Sequence, residues 1–402
     1  MTVSTNINSW KGIDLESRRS VMDPVADDVI RQIISNGEEA IVNNVFMALI
    51  HNDQVPDGLP PEVSEYFNAT SKLPAWADND EGRELIRRGE RVYSDNGPAI
   101  ALLLLCKSLP ECYSCVRGAK VLYETGRLME AQGSDRIRSL DTLKRRLMET
   151  SQYVINVMSP GGLLSAEGRG IRSSQKVRLI HAAIRYFLKN RPGGWDSAQY
   201  GEPINQEDMA GTLLSFSALV IEGLITLGIS LSDEDEKAFY FCWRVAAHFM
   251  GVNSDLVPET ADEGRALGHQ ILDRNKGKSA DGMELTKACI EFTESTIPFH
   301  TMDGVVEDLM RFLIGDEISN LLGIREFKNK LAERLPGKLQ WFFRLIERFF
   351  SRNPILRRVA SVAAKLLMQG FITTYNDGKK VYFFIPPSLR DDWKIADVSR
   401  ET

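Results

Sequence analysis

The chain has five histidines, at positions 51, 181, 248, 269 and 300, and only His181 sits in a distinctive frame. That frame is Lys176-Val-Arg178-Leu-Ile-His181-Ala-Ala-Ile-Arg185. Residues three and four apart share one face of an α-helix, so Arg178 and Arg185 flank His181 on one side. Two cations beside an imidazole keep a proton off it, and they offer a landing place for an anionic ligand. A haem supplies both matches, iron for the imidazole and propionates for the guanidiniums. Ala182 and Ala183 would keep the helix slim enough for a flat macrocycle to approach. From spacing alone, a core histidine with two surface arginines stands first.

A second cluster lies upstream. Arg146 and Thr150 are four apart, and Glu130 precedes Arg146 by sixteen residues. A carboxylate, a hydroxyl and a guanidinium in one pocket would make a base, a hydrogen-bond donor and an orienting cation. Each is also an ordinary solvated helix position, and Glu130 with Arg146 also reads as an ion pair joining two helices. Cys112-Tyr-Ser-Cys115 has metal-like spacing but stands alone, which suits two small helix residues better than a four-ligand zinc site. The run Asp233-Glu-Asp-Glu236 belongs at the positive end of a helix dipole. Phosphate-binding glycine loops, HExxH and GxSxG are absent from the sequence.

Helical periodicity dominates the elements that must hold these residues. A helix opens at Asp23-Pro24, with Asp23 as cap, and runs towards Asn36-Gly37; a second covers about 38–50. Residues 52–75 carry four prolines and read as a long surface connection. Helices follow near 80–93, 98–107, 110–130, 139–156, 174–189, 206–230, 233–250, 259–273, 281–296, 301–321, 325–334 and 336–350. Phe371 to Tyr375 and Lys379 to Ile385, joined by Asn376-Asp-Gly378, read as a hairpin. The class is all-α with a small C-terminal hairpin. Met209 to Leu231 is long enough to span a bilayer, but Glu222 at its middle favours a buried core helix, one placed to wall a cavity.

The 49 basic and 55 acidic residues leave a formal charge of −6, which disfavours nucleic acid as a partner. Five cysteines do not make a disulfide framework. No apolar leader stands at the N-terminus, so the expectation is a cytoplasmic protein without a transmembrane span.

Phrases in order along the chain resemble the latex-clearing protein (rubber oxygenase) family, which shares its catalytic domain with the MpaB-type oxygenases. They are Asp23-Pro-Val-Ala-Asp27, Ser108-Leu-Pro110, Gly118-Ala-Lys-Val-Leu122, Thr125-Gly-Arg-Leu128, Lys176 to Arg185, Trp195-Asp196, Gly201 to Asp208, Gly211 to Ser217, Trp243-Arg244, Gly251-Val252 and Phe384 to Trp393. The resemblance covers roughly residues 20–393. It implies a helical-bundle, globin-like core enclosing a b-type haem, with His181 as the iron ligand and dioxygen as co-substrate. It places the family's distal glutamate, arginine and threonine at Glu130, Arg146 and Thr150, with Arg178 and Arg185 as propionate partners. Where rubber-cleaving members carry a lysine before that threonine, this chain has Glu149. The implied reaction is oxidative cleavage of a C=C bond in an apolar isoprenoid or related substrate. A non-catalytic haem-binding protein of the same fold, a sensor or store, is the alternative. The expected organisation is an N-terminal extension over 1–19, the helical haem-binding domain over 20–322, and C-terminal helices and hairpin over 323–402 packed on the same domain.

Overall fold

The computed structural model describes residues 7–35, 59–130, 137–296 and 304–326. It is a helical protein. A two-residue antiparallel pair, β1 (Ser9–Trp10) and β2 (Ile13–Asp14), leads into the short α1 (Leu15–Arg18). Then come α2 (Pro24–Ser35), α3 (Pro61–Ala69) and the long α4 (Asp80–Leu103). A π turn over Leu104–Ser108 continues directly into α5 (Leu109–Ser114), which is followed by α6 (Val116–Glu130). The next helices are α7 (Ile137–Met158), α8 (Arg169–Asn190) and the short α9 (Ser197–Tyr200). The rest are α10 (Gln206–Phe216), α11 (Ala218–Thr226), α12 (Asp233–Met250), α13 (Ala261–Asn275), α14 (Ala280–Thr296) and α15 (Val305–Leu321).

The sequence anticipates most of these. Residues 233–250 form one helix with those bounds, Ser232 caps it by accepting from Asp235 N, and the four carboxylates fill its first turn. Four expectations change. Part of the supposed connection at 52–75 is α3, which begins at a Pro-Pro step and buries Val63, Tyr66 and Phe67. Helices expected at 80–93 and 98–107 are one, running through Pro98, while Asn96 Nδ2 donates to Val92 O at 2.9 Å. The helix expected over 110–130 breaks at Cys115, whose backbone is extended. The apolar helix expected over 206–230 breaks at Ser217, whose φ and ψ are −119° and −88°. Residues 206–226 are long and apolar enough to cross a membrane, but most of that stretch is buried inside the fold. It packs chiefly on α13, α4 and the π turn. The expected helices at 38–50 and 336–350, most of 325–334, and the hairpin at 371–385 lie outside the described residues.

Most of the apolar side chains form one core, with Phe239, Tyr240, Trp243 and Phe249 of α12 near its centre. A satellite core joins α2, α3 and α8. Ala182 and Ala183 belong to it, at 1 % and 2 % exposure, so their small size serves helix packing against α2 and α3. Residues 7–19 are stitched into the fold. Arg19 is 1 % exposed and donates to Glu207 (3.0 Å) and Asp208 (2.7 Å), within the Gly201 to Asp208 phrase. In the π turn, buried Lys107 donates to buried Glu111 at 2.5 Å and lies 3.4 Å from Glu222, which in turn meets His269 at 2.6 Å.

Candidate active site

Three helices build the site. α6, α7 and α8 are consecutive, α7 packs on both of the others, and α14 backs α6 and α7. His181 sits near the middle of α8. Its imidazole is held far below the usual histidine range, at about 3, first by burial and then by the charges of Arg185 and Arg146. It is therefore neutral at every physiological pH. Its Nδ1 is buried without a hydrogen-bond partner. Buried polar atoms are almost always satisfied, so an orphaned ring nitrogen marks a place for a ligand or an ion.

Arg146 lies on α7, close enough for its charge to act on His181. Nη1 donates to Leu122 O and to Thr125 Oγ1 of α6, both at 2.7 Å. It makes no ion pair among the described residues, and burial lowers its pKa. His181, Arg146 and Tyr153 are each half-buried. Tyr153 stands seven residues after Arg146, on the same face of α7, and its phenol is 3.3 Å from Ser174 Oγ on α8. Ser174 itself donates to Gly170 O at 2.8 Å, so the phenol is the donor to Ser174. Burial pushes that phenol up to about 12.

Thr150 is one turn after Arg146. Its hydroxyl donates to Arg146 O at 2.9 Å, so its proton is committed to the helix backbone and its lone pairs are what it can offer. Glu149 is exposed. Glu130 is the last residue of α6; its side chain lies outside the described residues.

The two arginines on the His181 helix point to α2. Arg178 forms a bidentate pair with Asp23, through Nε at 2.5 Å and Nη2 at 2.8 Å. Arg185 donates through Nε to Asp27 at 2.7 Å and through Nη1 to Ile204 O at 3.3 Å. The anion that their spacing demanded is thus a protein carboxylate in each case. Arg185 keeps Nη2 buried and unpartnered. Asp23 stands just ahead of α2, where its backbone carbonyl accepts from Asp27 N at 2.9 Å, while its carboxylate serves this inter-helix pair. Tyr153, Thr125 and the Asp23–Asp27 pair were not singled out from the sequence for these roles. The four-residue spacing of two aspartates, opposite two arginines seven apart, was the available signal.

Cys112 and Cys115 do not converge on a metal. Burial pushes the Cys112 thiol up to about 11 and Cys115 further, and Cys112 Sγ lies 3.1 Å from Ser215 Oγ. No group of three or more ligating side chains converges among the described residues, whereas a haem needs only one protein ligand.

The model of the family described as "ER-bound oxygenase mpaB/B'/Rubber oxygenase, catalytic domain" matches residues 121–348, more than half of the chain. The chain belongs to this oxygenase family. The match takes in α6, α7 and α8 with Glu130, Arg146, Thr150 and His181, and begins well after Asp23 and Asp27. A curated relative in the oxygenase family, the rubber oxygenase of Streptomyces sp. (strain K30), is 26 % identical over 333 residues, covering 81 % of this chain and 74 % of its own. A solved structure of latex clearing protein LCP in the closed state superposes with a TM-score of 0.72 at 23 % identity. It covers 92 % of this chain and 95 % of that one, so the fold is shared nearly end to end.

Proposed function

We propose that this protein is a haem b-dependent oxygenase that uses dioxygen to cleave a C=C bond in an apolar isoprenoid or related substrate. The observation that carries the proposal is His181. A neutral, half-buried imidazole with an unsatisfied ring nitrogen, within reach of the charge of Arg146, suits an iron ligand. The relative named rubber oxygenase supports the substrate class.

The residues present fit a haem. His181 would hold the iron, and the buried unpartnered Nη2 of Arg185 is a donor available to a propionate. When bound, the haem would supply the redox chemistry of dioxygen, which no side chain can provide. The chain's own residues do the rest. Burial, and then the charges of Arg185 and Arg146, keep His181 deprotonated, so that its lone pair stays available. Arg146 stabilises negative charge that develops at the reacting centre. Thr150 accepts a hydrogen bond through the lone pairs that its back-bond leaves free. Glu130 is the base for an allylic proton of the substrate.

The test is the visible spectrum of the purified protein before and after dithionite, repeated for His181→Ala. A Soret band that moves on reduction in wild type and is missing from the variant, with helical circular dichroism retained in both, supports the assignment. Equal haem content in the two proteins overturns it.

A further inference from the structure

We infer that Thr125 is a positioning residue for Arg146, setting which edges of that guanidinium face the haem site; the inference rests on the reading of the site given above. Arginine has a long, rotatable side chain, and one that lines a ligand site lacks packing on that side. Something must fix it if it is to present donors in a set direction. Both fixed contacts come from α6 and both use the same nitrogen, Nη1, with Leu122 O and Thr125 Oγ1 each at 2.7 Å. Nε and Nη2 have no partner among the described residues, and these are the donors left for a ligand.

Thr125 suits the task. It is 6 % exposed, and its own hydroxyl proton is spent on the preceding turn, at 2.9 Å from Val121 O and 3.0 Å from Leu122 O. A hydroxyl whose proton is so committed turns a lone pair outward, and that lone pair receives Nη1. Leu122 O is backbone and present whatever the side chain, so the hydroxyl of Thr125 is the side-chain half of the clamp. Valine has the same shape without the hydroxyl, whereas serine keeps the hydroxyl and drops the methyl group.

The experiment uses the ferric holoprotein and fluoride, a small anion that reports hydrogen-bond donors beside the haem, followed by the change in the visible spectrum. Thr125→Val is expected to weaken fluoride binding about tenfold, with haem content and helical dichroism as in wild type. Thr125→Ser is expected to restore it to within about twofold. Arg146→Met should weaken it at least as much, and Thr125→Val added to Arg146→Met should change nothing further, because Thr125 acts through Arg146. Should Thr125→Val not fold, Thr125→Ala takes its place with the same expectation. Wild-type affinity in the Thr125 variant, or effects of Thr125 and Arg146 that simply multiply, would overturn the inference while leaving the haem assignment standing. A wild-type protein that neither holds nor takes up haem overturns that assignment and the inference with it.

Discussion

Asp23 and Arg178 hold each other through two parallel hydrogen bonds, although 155 residues separate them in the chain. With Asp27 one turn along α2 and Arg185 two turns along α8, they fasten the first long helix to the helix that carries His181. Both partners of the first pair are largely buried, at 8 % and 11 % side-chain exposure.

That burial predicts the cost of breaking the pair. Asp23→Asn keeps the shape and removes the charge, leaving the Arg178 guanidinium uncompensated. Unfolding in urea should show a loss of about 3 kcal/mol. A change below about 1 kcal/mol would place the pair among surface ion pairs, which contribute little.

Glu130→Gln should retain the haem band and lower oxygen consumption with an alkene substrate by a factor of about 10² to 10⁴, the usual contribution of a general base. Equal product formation by the two proteins would remove Glu130 from the chemistry.

Glu90 on α4 gives a pH prediction. Burial pushes its carboxyl up to about 7, against the pull of Gly161 N–H, which donates to it at 2.9 Å. Between the unfolded value of 4.5 and about 7, the folded protein therefore binds more protons than the unfolded one. The contribution of this group to stability is present at the acid end of that window and is lost as pH rises through it, by about 3 kcal/mol in total. Glu90→Gln lacks a titrating group, so the stability difference between wild type and variant should drift with pH between 5 and 8. A constant difference across that range would contradict the shift.

Lys107→Met removes the cation facing Glu111 in the π turn. The buried carboxylate, already raised by desolvation, is left with a still higher pKa. Urea unfolding at neutral pH should show a loss of about 3 kcal/mol, with most of it recovered by adding Glu111→Leu. No recovery in the double variant would show that packing, rather than the ion pair, was lost.

The parts of the site legible in the sequence were those set by local spacing. His181 with Arg178 and Arg185, and Arg146 with Thr150, each lie on one helix, so helical periodicity brings them together in advance. Their partners were not legible, because Asp23, Asp27 and Thr125 come from other helices, and no pattern within one segment encodes a contact between segments. That is why two arginines framing a histidine invited an external anion when the chain supplies carboxylates of its own. The same limit explains the elements. α12 announces itself with a cap, an acidic first turn and Gly251 after its last residue. Pro98 gave a local signal that tertiary packing overrode, whereas the Pro60-Pro61 step that begins α3 was itself a helix-start signal read as loop. At Ser217 the reverse happened, and an unbroken apolar run bends where the core requires it.

The turn between α7 and α8 carries a consequence of its own. A side chain added at Gly162 would strike Asn156 O, one at Gly168 would strike Gly162 O, and one at Gly170 would strike the Val157 backbone, at 2.3, 2.4 and 2.8 Å. The end of one helix is thus welded, backbone to backbone, to the beginning of the next. Mechanically the pair is a bracket, whose arms carry Arg146 and His181. Redesign of the site for a larger guest should therefore leave this bracket alone and work on α6 and α14, which lie outside it.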